Sequence, residues 1–91
     1  MEIKTGIYKH FKGGTVLVYG TEIFSEDKST LVKYIGLQDR KFYSRPADDF
    51  CGFKEIDGKQ VPRFALVKSI EIDLSNFLSQ IIEENKADVQ F

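Results

Sequence analysis

Between residues 5 and 68 the chain is interrupted every few positions by a turn signal. Gly13-Gly14, Glu26-Asp27-Lys28, Gln38-Asp39-Arg40, Pro46, Asp57-Gly58 and Pro62 leave no uninterrupted stretch of the length a typical helix needs. The segments between them are rich in β-branched and aromatic residues, which pack well on a pleated, half-buried surface. Most of the chain is therefore expected to be short strands. With 91 residues in all, there is room for one core and one domain. Its 8 Phe and 4 Tyr supply the large side chains that fill a small interior.

Each turn signal fixes a local expectation. Gly13-Gly14 provides positions where a positive φ costs nothing, so Ile7–Phe11 and Thr15–Phe24 read as a hairpin. Thr30–Leu37 places Leu31, Lys33 and Ile35 on one side and Val32 and Tyr34 on the other, as a strand covered on both faces requires. Lys41–Arg45 is a short strand stopped by Pro46, and Ala47–Phe50 reads as a single helical turn. Asp57-Gly58 is a preferred type I′ pair between Phe53–Ile56 and Lys59–Val67, with Pro62 marking an edge or a bulge in the second strand. A flat sheet of five or six such strands leaves its edges open, so the expected architecture is a small, partly open SH3-like barrel over residues 1–72.

From Leu74 the period changes. Leu74, Phe77, Leu78, Ile81 and Ile82 recur at spacings of three and four, the stripe of an amphipathic helix within residues 73–91. Asp73 or Ser75 is placed to cap its start and Asn85 to end it, and residues 86–91 read as a frayed tail. About three turns of helix are marginal alone in water, so the stripe is expected on the barrel or on a second chain, giving a monomer or a homodimer. Charge divides at the same place. Residues 1–68 carry 12 Lys/Arg against 9 Asp/Glu, while residues 69–91 carry Lys86 against Glu71, Asp73, Glu83, Glu84 and Asp88.

Several function classes are disfavoured. A net charge of −1 argues against a dedicated, strongly basic nucleic-acid binder. One His and one Cys, far apart in the chain, offer no metal-ligand spacing, and no cofactor is expected. A lone cysteine, Cys51, cannot form an internal disulfide. Together with the lack of an apolar leader or a membrane-length apolar run, that points to a cytoplasmic protein with no membrane association. Flanked by Phe50, Gly52 and Phe53, Cys51 is expected to be a buried, inert thiol.

The chemistry that is left is cationic and aromatic. Period two sends Tyr8, His10 and Lys12 to one face, and His10 is the one side chain that titrates near neutral pH without special tuning. The bland reading has Tyr8 and His10 bonded to backbone and Lys12 solvated; the sharper one makes them a binding face. Arg45 before Pro46 and Arg63 after Pro62 are two guanidinium forks beside rigid turns, suited to a carboxylate or a phosphate. Pairing with Asp48, Asp49, Glu55 or Asp57 is the competing expectation.

These residues carry a family resemblance. Gly6-Ile7-Tyr8-Lys9-His10-Phe11-Lys12-Gly13 is followed in order by Val18-Tyr19-Gly20, Ser25-Glu26, Leu31-Val32-Lys33-Tyr34, Arg45-Pro46 with Phe50, and Val61-Pro62-Arg63-Phe64. The set, over residues 5–67, resembles the bacterial family of domain of unknown function 1653. Phe24 stands where that family often has a histidine, and Phe42 or Tyr43 where it has a tryptophan. The resemblance implies a small β-barrel-like fold without an assigned reaction, and draws attention to Tyr8, His10, Arg45 and Arg63.

The leading expectation is a non-enzymatic module that binds an anion: a nucleotide, a nucleic-acid backbone or a protein carboxylate. Its expected ligand-binding residues are Tyr8, His10, Lys12, Arg45 and Arg63. One rival is a small enzyme with His10 as general acid or base, and another is a homodimeric interaction domain.

Overall fold

The computed structural model describes residues 2–84, so Asn85 as a helix stop and the frayed tail over 86–91 lie outside the described residues. Its strands are β1 (Gly6–His10), β2 (Thr15–Ile23), β3 (Thr30–Gly36), β4 (Phe42–Pro46), β5 (Phe53–Ile56), β6 (Lys59–Pro62) and β7 (Phe64–Ser69). The helices are α1 (Ala47–Phe50), after β4, and α2 (Leu74–Glu84), after β7.

β1 to β4 form an antiparallel meander, and β7 returns beside β1, giving the order β4-β3-β2-β1-β7. Successive side chains point to opposite faces, so the register defines an inner face carrying Tyr8, Val16, Val18, Val32, Tyr34 and Phe64, all buried. α1 lies over that face and adds Ala47 and Phe50, which is 2% exposed. Phe50 stacks on Phe64 at 4.3 Å and meets Tyr8 edge-on at 5.2 Å, so four residues of helix close the core. In β3, Val32 and Tyr34 are buried and Leu31, Lys33 and Ile35 half-buried, the alternation its sequence predicts.

Two register shifts bend the sheet. β2 carries an extra residue between Val18 and Gly20, and β7 slips against β1 between Ile7 and Tyr8. The sheet curls but does not close: among the described residues β4 and β7 are its edges, and β5–β6 make a separate two-stranded sheet. The mainly β character, the short strands and the small helix are as expected, while the barrel is an open, curved sheet. Proline explains the split of the expected Lys59–Val67 strand. Pro62 has no N–H to donate, so pairing with β5 stops there and the chain resumes after Arg63 against β1. At the β5–β6 turn Asp57 and Gly58 have φ of 52° and 78°, both positive as a type I′ turn requires.

Two further expectations meet the structure differently. Asp73 Oδ1 accepts from the Asn76 amide at 3.1 Å, so Asp73 caps α2. Cys51 is exposed, a correction to the buried thiol expected of it. α1 ends at Phe50, which takes the inward position; Cys51 is the next residue round and faces solvent, next to Phe53 at 60% exposure.

Candidate functional site

The inner face is covered by α1 over only part of its area, and four of the five expected site residues, His10, Lys12, Arg45 and Arg63, gather where it is open. His10 ends β1 on that face, opposite Phe64. The chain reverses immediately, with His10 N–H donating to Gly14 O at 2.7 Å and Gly13 taking φ 111°, a value glycine tolerates. This turn brings the Lys12 amide 3.1 Å from His10 Nδ1. An amide can only donate, so Nδ1 is unprotonated and neutral His10 carries its proton on Nε2.

Arg63 occupies the break between β6 and β7 and is held through its backbone. Its N–H donates to Gly52 O at 2.9 Å, and its carbonyl accepts from Phe11 N–H at 3.0 Å. This one-residue link thus ties the β1–β2 turn to the segment after α1. Arg45 points inward from β4, opposite Val32. Its Nε donates to the Tyr34 hydroxyl at 3.4 Å, and its guanidinium lies over the Phe64 ring at 5.6 Å.

Both arginines reach one carboxylate. Arg45 Nη1 donates to Asp49 Oδ2, and Arg63 Nη2 lies 3.5 Å from Asp49 Oδ1. Pairing with Asp48, Asp49, Glu55 or Asp57 is the competing expectation, and of these four Asp49 is the acid that does it. The Arg45 hydrogen bond, with the charges of Arg63, Arg45 and Lys54, holds the Asp49 carboxyl below its ordinary range. Arg63 Nε is buried without a hydrogen-bond partner among the described residues.

Around this bridge runs an open groove of ≈ 520 Å³, lined by His10, Phe11, Lys12, Arg45, Lys54, Glu55, Ile56 and Arg63. Four permanent cations face two carboxylates, Glu55 and the neighbouring Asp49, so the groove is electropositive in a chain whose net charge is −1. Burial first, and then the charges of Arg45, Lys12 and Arg63, push the His10 pKa below the ordinary histidine value. At neutral pH His10 is therefore a neutral donor among cations.

The structure brings His10, Lys12, Arg45 and Arg63 together and places Tyr8 apart from them. Tyr8 is 7% exposed, donates its hydroxyl to Lys4 O at 2.7 Å and belongs to the core beneath the groove. Burial raises its pKa. Lys54 escapes a sequence reading because it arrives from a separate hairpin, and only the β6–β7 break at Arg63 sets that hairpin against the β1–β2 turn. Among the described residues no group of three or more His, Cys, Asp and Glu is placed to hold a metal ion, and no helix is long and apolar enough to cross a membrane.

The family model for "Protein of unknown function (DUF1653)" matches residues 6–66, the span that contains every residue of the groove. The crystal structure of a DUF1653 protein from Bordetella bronchiseptica is similar, with a TM-score of 0.68 and 24% sequence identity over 79% of this chain and 96% of that one. At that identity the likeness speaks for the fold. Comparison with curated proteins found no match. The curved sheet, its α1 cover and the matched segment agree: this chain belongs to the DUF1653 family of proteins of unknown function.

Proposed function

We propose that this open, SH3-like β domain is a non-enzymatic binding module for an anionic ligand, held in the groove by Lys12, Arg45, Arg63 and the His10 Nε2–H. The observation that carries the reading is the pair of guanidinium groups sharing Asp49, since that geometry is already the coordination of an anion. Asp49 is 42% exposed and rides on a four-residue helix, so an incoming phosphate or carboxylate competes with it in partly solvated surroundings. Lys54 and Lys12 form no salt bridge among the described residues, and they add charge that gives the groove long-range attraction for anions.

The test is an amide and side-chain NMR titration of the full chain with inorganic phosphate and with an acidic peptide, at low and high salt. Shifts are expected at His10, Lys12, Arg45 and Arg63, weakened by salt and lost in an Arg45→Ala, Arg63→Ala double variant. Titrations that leave those residues unmoved at low salt would dismiss the reading. A second reading, a homodimer through α2, draws on Leu78 and Ile82, which are 52% and 44% exposed on the same helix. Its check is the solution mass of the full chain against residues 1–72; a monomer in both removes it.

A further inference from the structure

We infer that the anion is the phosphate of a nucleoside phosphate, and that its base occupies a second cavity sharing His10 and Arg45 with the basic groove. This rests on the anion-binding reading and adds the class of ligand. The second cavity measures ≈ 280 Å³ and opens on the inner face beside the groove. Its walls are the rings of His10, Tyr34, Tyr43 and Phe64. Tyr34 and Tyr43 are cross-strand partners with rings stacked at 5.5 Å, and Phe64 packs against Tyr34 at 5.6 Å and His10 at 4.9 Å. Tyr43 is 39% exposed, so one ring of this stack is available to a flat partner.

A purely apolar guest does not account for the rim. Gln38 and Asp39 also line the cavity. Gln38 Oε1 accepts from Thr15 N–H at 3.1 Å and its Nε2 donates to Thr15 Oγ1 at 2.6 Å, which fixes the amide and leaves one Nε2 hydrogen unspent. Asp39 accepts from the Lys41 amide and the Tyr43 hydroxyl and keeps further lone pairs. One donor and one acceptor beside an aromatic wall match the edge of a heteroaromatic base. Gly36 makes room for Asp39 and Tyr43 at this corner, because a Cβ there would stand 2.4 Å from Asp39 Oδ1 and 3.3 Å from the Tyr43 ring. His10 and Arg45 stand between the two cavities. Neutral His10 presents a ring to one side and Nε2–H as a donor, and the Arg45 guanidinium stands 5.6 Å from the centre of the Phe64 ring while its Nη1 reaches the anion site, where it donates to Asp49. The groove alone, at ≈ 520 Å³, lies within the range of about 300–1,000 Å³ usual for a ligand site, and the second cavity, at ≈ 280 Å³, lies just below it, so the second is best read as a subsite of the first.

The test is calorimetry with amide NMR on the full chain, using inorganic phosphate, phenyl phosphate, the common nucleoside 5′-monophosphates and short single-stranded oligonucleotides. At least one nucleotide is expected to bind about fivefold or more tightly than phosphate, the lower end of what stacking one base supplies, and to shift Gly36, Gln38 and Tyr43 as well as the groove. Tyr43→Leu should bring that affinity down to the phosphate level, while Tyr43→Phe, which keeps the ring and loses the Asp39 contact, should retain most of it. Oligonucleotides binding more tightly than mononucleotides would identify a strand as the source; the reverse order would identify a free nucleotide, and both support the inference. Nucleotides equal to phosphate, with shifts confined to the groove, would overturn the inference and leave the anion site standing. Phenyl phosphate as tight as any nucleotide would also overturn it, since no base edge is then being read. No binding of phosphate or nucleotide would remove both.

Discussion

His10 owes its protonation state to neighbours that the β1–β2 turn and the two arginines supply. Burial and three nearby cations lower its pKa, so the unfolded chain, near the ordinary histidine value of about 6.5, takes up a proton first as pH falls. The stability it contributes is complete above that value and is lost as pH falls toward the folded pKa. A bound anion acts the other way on the same group, since negative charge beside the imidazole favours its cation. The imidazole signals of His10, followed by NMR against pH, should titrate below the ordinary value in the free protein and move upward when phosphate is added; an unchanged titration would mean that the anion binds elsewhere. Asp49 offers the complementary experiment. Asp49→Asn removes the carboxylate that both guanidinium groups hold, so phosphate affinity is expected to rise several-fold in the same titration, with a small loss of thermal stability. A weaker affinity would show that Asp49 orders the arginines for the ligand instead of competing with it.

At the scale of elements, the decisive positions are those where two backbones meet. β1 and β7 come together at Gly6, whose φ is 146° and where a Cβ would stand 2.1 Å from Lys68 O. An alanine there meets both a disfavoured backbone region and a backbone atom that cannot step aside, and the β1–β7 pairing is what returns the chain to the sheet. Gly6→Ala is expected to cost on the order of 3 kcal/mol in urea denaturation. Gly20→Ala, where a Cβ meets nothing within 4 Å, should cost less than about 1 kcal/mol or stabilise slightly. Equal effects at the two positions would contradict the close approach at Gly6. The β5–β6 hairpin is a different kind of element: its register follows from Asp57-Gly58 alone, and its residues Phe53 and Ile56 are exposed.

For the molecule as a whole, the buried core among the described residues runs from Tyr8 to Phe64, and β7 is tied to the start of the chain by the Ile70 amide donating to Thr5 O at 3.0 Å. All seven strands and α1 lie within residues 6–69. A chain ending at residue 72 is expected to keep its strand signature by circular dichroism and a cooperative thermal transition, with the helical signal gone; loss of the transition would show that α2 is part of the fold. The strands, the type I′ turn, the single turn of α1 and the helix α2 were legible in the sequence, because turn chemistry and side-chain period act over a few residues. The pairing of Arg45 or Arg63 with a nearby acid was legible as one of several options. What stayed hidden was set by contacts between distant segments: the separate β5–β6 sheet, the inward Phe50 that leaves Cys51 outside, the burial of Tyr8, the sharing of Asp49 by two arginines and the arrival of Lys54. Composition and period assign a residue to a face of its own strand. Which faces are brought together, and which part of them α1 leaves uncovered, depends on the register between strands far apart in the chain, and here that register turns on the proline that ends β6 and the glycine that lets β1 meet β7.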